Sequence, residues 1–215
     1  MSYLFVKKGT VAEVTFDRSS LKGFMTQIFG DFVEVPPTSN EFLVIGFSPS
    51  SIPLKHRWRN NGLSANFMAD YVTTFFPKSE DDPTTAKLQN EIKSAVSFIA
   101  NELLENAMKF SDYTVTHPIS IQLYLKTDRL IFVVVNSINQ ERVESFQLFI
   151  EKLINSDPQE LYIEQIEKGL ESDNSSGLGY LTMINDYLGR LGWKFETLET
   201  EPKVVTVTTM VQLLI

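Results

Sequence analysis

The residues best placed to do chemistry are Glu102, Asn106 and Lys109. They stand at i, i+4 and i+7, so a helix would align them along one edge. A carboxylate can orient or deprotonate a hydroxyl or a water. An amide oxygen can hold a hard divalent cation, and an ammonium supplies a point charge for phosphate. Together they read as a site for an anion and its metal. The same spacing also describes an ordinary solvated helix edge. A second stretch, Ser176-Gly177-Leu178-Gly179-Tyr180, offers what a phosphate needs from a backbone. Glycines let N–H groups approach closely, and a helix N-terminus favours anions. Standing alone, these glycines would mark an ordinary loop-to-helix turn.

The three polar residues fall in the longest helical pattern of the chain, residues 84–110. Ile92, Val96, Ile99, Leu103 and Phe110 share one stripe, and Asn90, Lys93, Ser97 and Asn101 lie opposite. Thr84 or Thr85 is the expected cap. Upstream, residues 11–16 alternate as a half-buried strand. A helix capped by Ser19 or Ser20 is expected next, carrying Leu21, Phe24, Met25, Ile28, Phe29 and Phe32 and ending before Pro36. Residues 41–47 read as a buried strand. Residues 48–62 read as a long loop holding the basic cluster Lys55-His56-Arg57-Trp58-Arg59. It could grip phosphate or an acidic partner, or be a solvated loop with Trp58 packed on the core. A helix is expected over 63–76, then a proline-bracketed linker over 77–83.

Downstream, 119–126 and 130–136 read as an antiparallel hairpin. Two amphipathic helices follow over 141–154 and 158–170, then a polar loop over 171–176 expected to be mobile. A helix over 177–191 opens on the glycines, and 193–198 with 204–214 forms a closing hairpin. The linker divides the chain into an N-terminal elaboration, 1–83, and a core, 84–215. The elaboration either docks on the same sheet or supplies a dimer surface. No internal repeat is visible.

Glu102-Leu103-Leu104-Glu105-Asn106-Ala107-Met108-Lys109 resembles the N box of the GHKL ATPases, the superfamily of gyrase, Hsp90, histidine-kinase and anti-sigma serine-kinase domains. The segment 176–180 resembles that family's later glycine box, and the two boxes come in the family's order. The resemblance covers 84–215 and not 1–83. It implies an α/β sandwich: a mixed, mostly antiparallel sheet with helices on one face. It implies Mg2+ with ATP as the cofactor pair. Asn106 would be the magnesium ligand, and Glu102 would polarise the attacking group. Lys109, Gly177, Leu178 and Gly179 would lie on the phosphates. Asn136 stands where the family has the Asp that receives the adenine amino group, and an amide oxygen can still accept there. Ile138 and Gln140 stand where the family has glycines. A β-branched residue resists positive φ, so the first glycine box is degenerate.

Within the family, a sensor histidine kinase would need a phospho-accepting His on a helix before the core. His56 and His117 fall on no helical pattern. A gyrase- or Hsp90-like machine would need further domains. The stand-alone anti-sigma serine/threonine kinases fit better, and they phosphorylate a Ser or Thr of a small STAS-type antagonist protein. The other reading is a non-enzymatic partner-switching or scaffold module with a degenerate nucleotide site. Many stand-alone members are dimers, so a homodimer is allowed.

The chain has 215 residues, no cysteine and a formal charge of −8. Disulfides and thiolate metal sites are excluded. The acidic balance argues against non-specific binding of nucleic acid or anionic membrane. No apolar run reaches the length of a spanning helix, and the first ten residues lack a signal peptide's apolar region. A cytoplasmic location is therefore expected.

Overall fold

The computed structural model describes residues 5–7, 10–12, 26–34, 41–48, 54–171, 177–198 and 203–215. The long helix α2, Pro83–Phe110, organises them. It starts where Asp82 accepts hydrogen bonds from the Thr84 backbone N–H at 2.9 Å and the Thr84 hydroxyl at 2.6 Å. The cap is therefore Asp82, one residue before the proline that opens the helix, and not Thr84 or Thr85. Thr85 instead donates to the Asp82 carbonyl and accepts from the Ser79 N–H. Ile92, Val96, Ile99 and Leu103 are fully inside, as their spacing predicts.

The opposite stripe of α2 is not simply solvated. Helix α1, Leu54–Thr73, packs along it. Lys93 pairs with Asp70 at 2.5 Å, the Ser97 hydroxyl donates to Asn66 at 3.0 Å, and Gln89 donates to the carbonyls of Thr73 and Phe76. Ala65, Met68, Ala69 and Val72 are buried beneath these polar contacts.

Six strands form one sheet: β3 (Thr26–Gly30), β4 (Glu41–Phe47), β5 (Ile119–Leu125), β6 (Arg129–Ile138), β7 (Arg190–Leu198) and β8 (Val204–Leu214). Their spatial order is β3-β7-β8-β6-β5-β4, and every pairing is antiparallel. The sheet is thus antiparallel throughout, not mixed. A separate short ribbon pairs β1 (Phe5–Lys7) with β2 (Thr10–Ala12). Three further helices, α3 (Gln140–Asn155), α4 (Pro158–Glu171) and α5 (Leu178–Asn185), complete the described part. The fold is α+β, a helical layer on an antiparallel sheet.

Alternation decides which strand residues meet the helices. Phe132 and Val134 of β6, Trp193 and Phe195 of β7, and Val207 and Val211 of β8 join the core built on α2. Ile131, Val133 and Met210 point the other way and cluster with Phe32, Tyr124 and Val135.

Several elements depart from the sequence pattern. Thr26–Gly30 is strand β3, not the end of a helix, because pairing with β7 places Phe29 opposite Trp193. A non-local ladder overrides a short helical stripe. The rest of that expected helix, and residues 13–16 of the expected first strand, lie outside the described residues. β4 is an edge strand with Phe42 51% and Val44 49% exposed, so it is not buried on both faces.

Residues 54–62 belong to α1 and not to a loop, and α1 ends at Thr73 rather than at Phe76. The basic cluster therefore rides on a helix. What the side chains of Lys55, His56, Arg57 and Trp58 contact lies outside the described residues. The placing of His56 off a helix is overturned as well. α1 packs along α2. His117 precedes β5, and partial burial lowers its pKa.

α5 ends at Asn185, well short of residue 191. The Asp186 N–H closes the last turn on Thr182, Leu188 takes a left-handed φ of 53°, and β7 begins at Arg190. The mobile loop expected over 171–176 lies outside the described residues after Glu171, which ends α4.

Candidate functional site

The site is assembled where the last turns of α2 meet the start of α5. Glu102, Asn106 and Lys109 stand on α2 with Glu102 and Asn106 half-buried and Lys109 exposed. Gly177 caps α5 with φ 106° and ψ −10°, a conformation open to glycine. A Cβ there would lie 2.6 Å from the Phe149 ring. Gly177 has no side chain to cap this helix, and among the described residues none is seen to accept from its first N–H groups.

Gly179 explains how the two helices come so close. A Cβ at that position would collide with the Glu102 carboxylate. The absent side chain is the space that Glu102 occupies. Burial raises the pKa of Glu102, and the neighbouring charge of Glu105 adds to the rise. No N–H donation dominates, since that would lower it.

Tyr180 is the next residue of α5, and its ring stands edge-on to Trp193 at 5.7 Å. Burial pushes its hydroxyl up to about 12, with the Thr209 and Asn106 side chains pulling it partway back. Asn106 carries an amide oxygen, the atom of that side chain suited to a hard cation.

A pocket of about 570 Å3 opens beside this junction. Asn106, Lys109 and Phe110 of α2 line it, with Gly177 and Tyr180 from the start of α5. Arg142, Ser145, Phe146 and Phe149 of α3 form the facing wall. That helix is set in place by Asn139, whose side chain accepts the Glu141 N–H at 2.9 Å, and by a Gln147–Gln27 bond of 2.6 Å to β3. The Lys109 ammonium lies 5.4 Å from the centre of the Phe110 ring. The volume suits a small-molecule ligand.

Asn136 is not in this pocket. β6 runs on to Ile138, so Asn136 and Ile138 are ladder residues opposite Val207 and Val205. Their backbone is extended, and Ile138 needs no positive φ. The strain expected of a β-branched residue there does not arise, because the strand continues through Ile138. Asn136 is buried, and its amide donates to the Ser137 carbonyl at 2.8 Å. It borders a separate cavity of about 10 Å3 with Asn106, Ile138, Tyr180, Val207 and Thr209. Gln140 is the first residue of α3.

The structure therefore brings Asn106, Lys109 and Gly177 to one pocket; Glu102 meets Gly179 beside it without lining it, Leu178 stands between the two glycines on α5, and Asn136 borders only the small cavity. Sequence reasoning missed Tyr180, Arg142, Ser145, Phe146, Phe149 and Thr209. The α3 residues did carry a signal: Arg142, Ser145 and Phe149 recur at helical spacing, polar beside aromatic. Nothing in the pattern of β8 marked Thr209.

Among the described residues no three His, Asp or Glu side chains cluster as a metal site. Magnesium held with a nucleotide needs few protein ligands, because phosphates and waters fill most positions. Asn106 beside Glu102 fits that donor set. No helix of the described residues is long and apolar enough to cross a membrane. The chain matches no protein-family model and no curated protein at a significant level.

Proposed function

We propose that this protein is a GHKL-type regulatory kinase. It takes the terminal phosphoryl group of Mg-ATP and passes it to a Ser or Thr of a STAS-type partner protein. The observation that carries this reading is the meeting of Glu102 and Gly179, seventy-seven positions apart in sequence, beside a pocket that Asn106, Lys109 and Gly177 line. Two stretches far apart in sequence meet at one junction, which is what the resemblance would require.

Each residue has a part. The N-terminus of α5 offers N–H groups and a positive dipole end to phosphate oxygens. Lys109 adds charge, and Arg142 on the opposite wall adds more. Asn106 would hold a magnesium ion, which would supply neutralisation of phosphate charge. Glu102 accepts the proton of the partner's hydroxyl, a role its raised pKa favours. Phosphoryl transfer asks mostly for positioning and charge neutralisation, and these groups supply both.

The test is transfer of labelled phosphate from Mg-ATP to a STAS-type partner by the wild type and by Glu102→Gln. Transfer lost in the variant with nucleotide binding kept supports the reading. Equal transfer by both proteins removes the role given to Glu102.

A second reading is supported by the 10 Å3 cavity at Asn136. A non-enzymatic partner-switching module could keep the junction and lose base recognition. Binding of a STAS-type partner with no transfer under any nucleotide would favour it.

A further inference from the structure

Helix α1 is apolar on two sides. On the inner side Ala65, Met68, Ala69 and Val72 are buried. On the outer side Leu63 and Phe67 are 60% and 56% exposed. Four positions apart, they share one stripe. Half-buried Tyr71 continues it, and Phe75, 38% exposed, extends it just past the helix end. Tyr71 and Phe75 stand edge-to-face at 5.4 Å. Exposed Asn60, Asn66, Asp70 and Thr74 rim the stripe. Holding one helix on a core asks for no Leu or Phe on its wet side, and a polar-rimmed apolar patch marks a protein–protein contact.

The two ends of the stripe carry opposite charge. α1 begins in the densest basic cluster of the chain, positions 55–59, and Arg59 is exposed. Past its end, the linker to α2 holds Glu80 and Asp81, both exposed. Arg59 stands eight positions before Phe67, about 12 Å along the helix. Thr73, where the chain leaves for the linker, stands six positions after Phe67, about 9 Å the other way. Laid antiparallel on itself about Phe67, α1 sets Leu63 opposite Tyr71 and its basic start opposite the acidic linker. Laid parallel, it sets like charge on like, which costs affinity. A chain of charge −8 repels its own copies, so the pairing of these two ends is what lets two copies approach.

We propose that the outer stripe of α1 docks a second copy of this chain: two α1 helices pack antiparallel across a two-fold axis at Phe67, with Arg59 of each copy facing Glu80 and Asp81 of the other. A two-fold contact uses one patch twice, so a self-complementary patch is all it needs. One helix face makes a small interface, and the dimer is correspondingly weak, with Kd about 10 μM. None of these residues lines the pocket at the start of α5, so the inference stands apart from the nucleotide reading.

The experiment is sedimentation equilibrium of the full chain without nucleotide, from about 1 to 200 μM. The wild type passes from monomer to dimer with a midpoint of about 10 μM. Phe67→Glu sets two carboxylates face to face across the axis and stays monomeric throughout. Its denaturant transition matches the wild type, because position 67 is exposed. Arg59→Glu weakens the dimer by roughly tenfold. Adding Glu80→Lys and Asp81→Lys to Arg59→Glu returns the affinity to within about threefold of the wild type. A wild type still monomeric at about 200 μM overturns the inference and leaves the stripe to a different protein. So does a dimer that Phe67→Glu leaves as tight as before, or a triple variant no tighter than Arg59→Glu alone. The charge series decides even if Phe67→Glu fails to fold.

Discussion

Burial at Glu102 raises its pKa and so makes it the stronger base. A raised pKa means that the folded protein holds this proton at pH values where the unfolded chain has released it. The group's contribution to stability is therefore full below pH 4.5, the model-peptide value, and is lost as pH rises through the higher folded value. Activity runs the other way, since only the ionised carboxylate accepts a proton. The rate of transfer should climb with pH on a limb whose midpoint lies above 4.5. In Glu102→Gln transfer should fall by about 10²–10⁴-fold and that limb should vanish, while nucleotide affinity stays within about threefold. A pH–rate profile of both proteins checks this. Gly177 supplies a second prediction. Its φ of 106° and the Phe149 ring 2.6 Å from a Cβ leave no room for alanine. Gly177→Ala should cost about 1–3 kcal/mol by denaturant unfolding and should weaken nucleotide binding.

At the scale of the element, α2 supports both the fold and the site. Its apolar stripe was legible from periodicity because tertiary packing reinforces it along its whole length. Leu103 sits on that stripe one residue from Glu102 and is 1% exposed. Leu103→Ala should cost about 2–5 kcal/mol in denaturant unfolding. The hairpins β5-β6 and β7-β8 were equally legible, since short connections and alternation are local signals. β3 was not, because its ladder partner β7 lies far along the chain. Nor was the start of α1: Lys55 to Arg59 reads as a basic loop until Met68 and Val72, further on, are seen to anchor the helix on α2. The site divides in the same way. Glu102, Asn106, Gly177 and Gly179 were recognisable as local spacings. Tyr180, Thr209 and the wall of α3 belong to the site only through folding.

Across the whole molecule, the N-terminal and C-terminal parts share one sheet. β4 from the first part pairs with β5, and β3 pairs with β7, so residues 26–47 supply both edges. α1 covers the polar stripe of α2. A chain of residues 84–215 alone would expose two new sheet edges and the α1-facing side of α2. It should lose cooperative unfolding and associate, as read by denaturant titration and light scattering. A monomeric fragment with a sharp transition would show that the core stands without its first part. The central claim concerns the junction that both parts support, and titration of Mg-ATP into the wild type and Asn106→Ala by calorimetry tests it most directly. Binding by the wild type that drops at least tenfold in the variant is the expected result. Equal binding by both proteins, or none by the wild type at millimolar nucleotide, would contradict it.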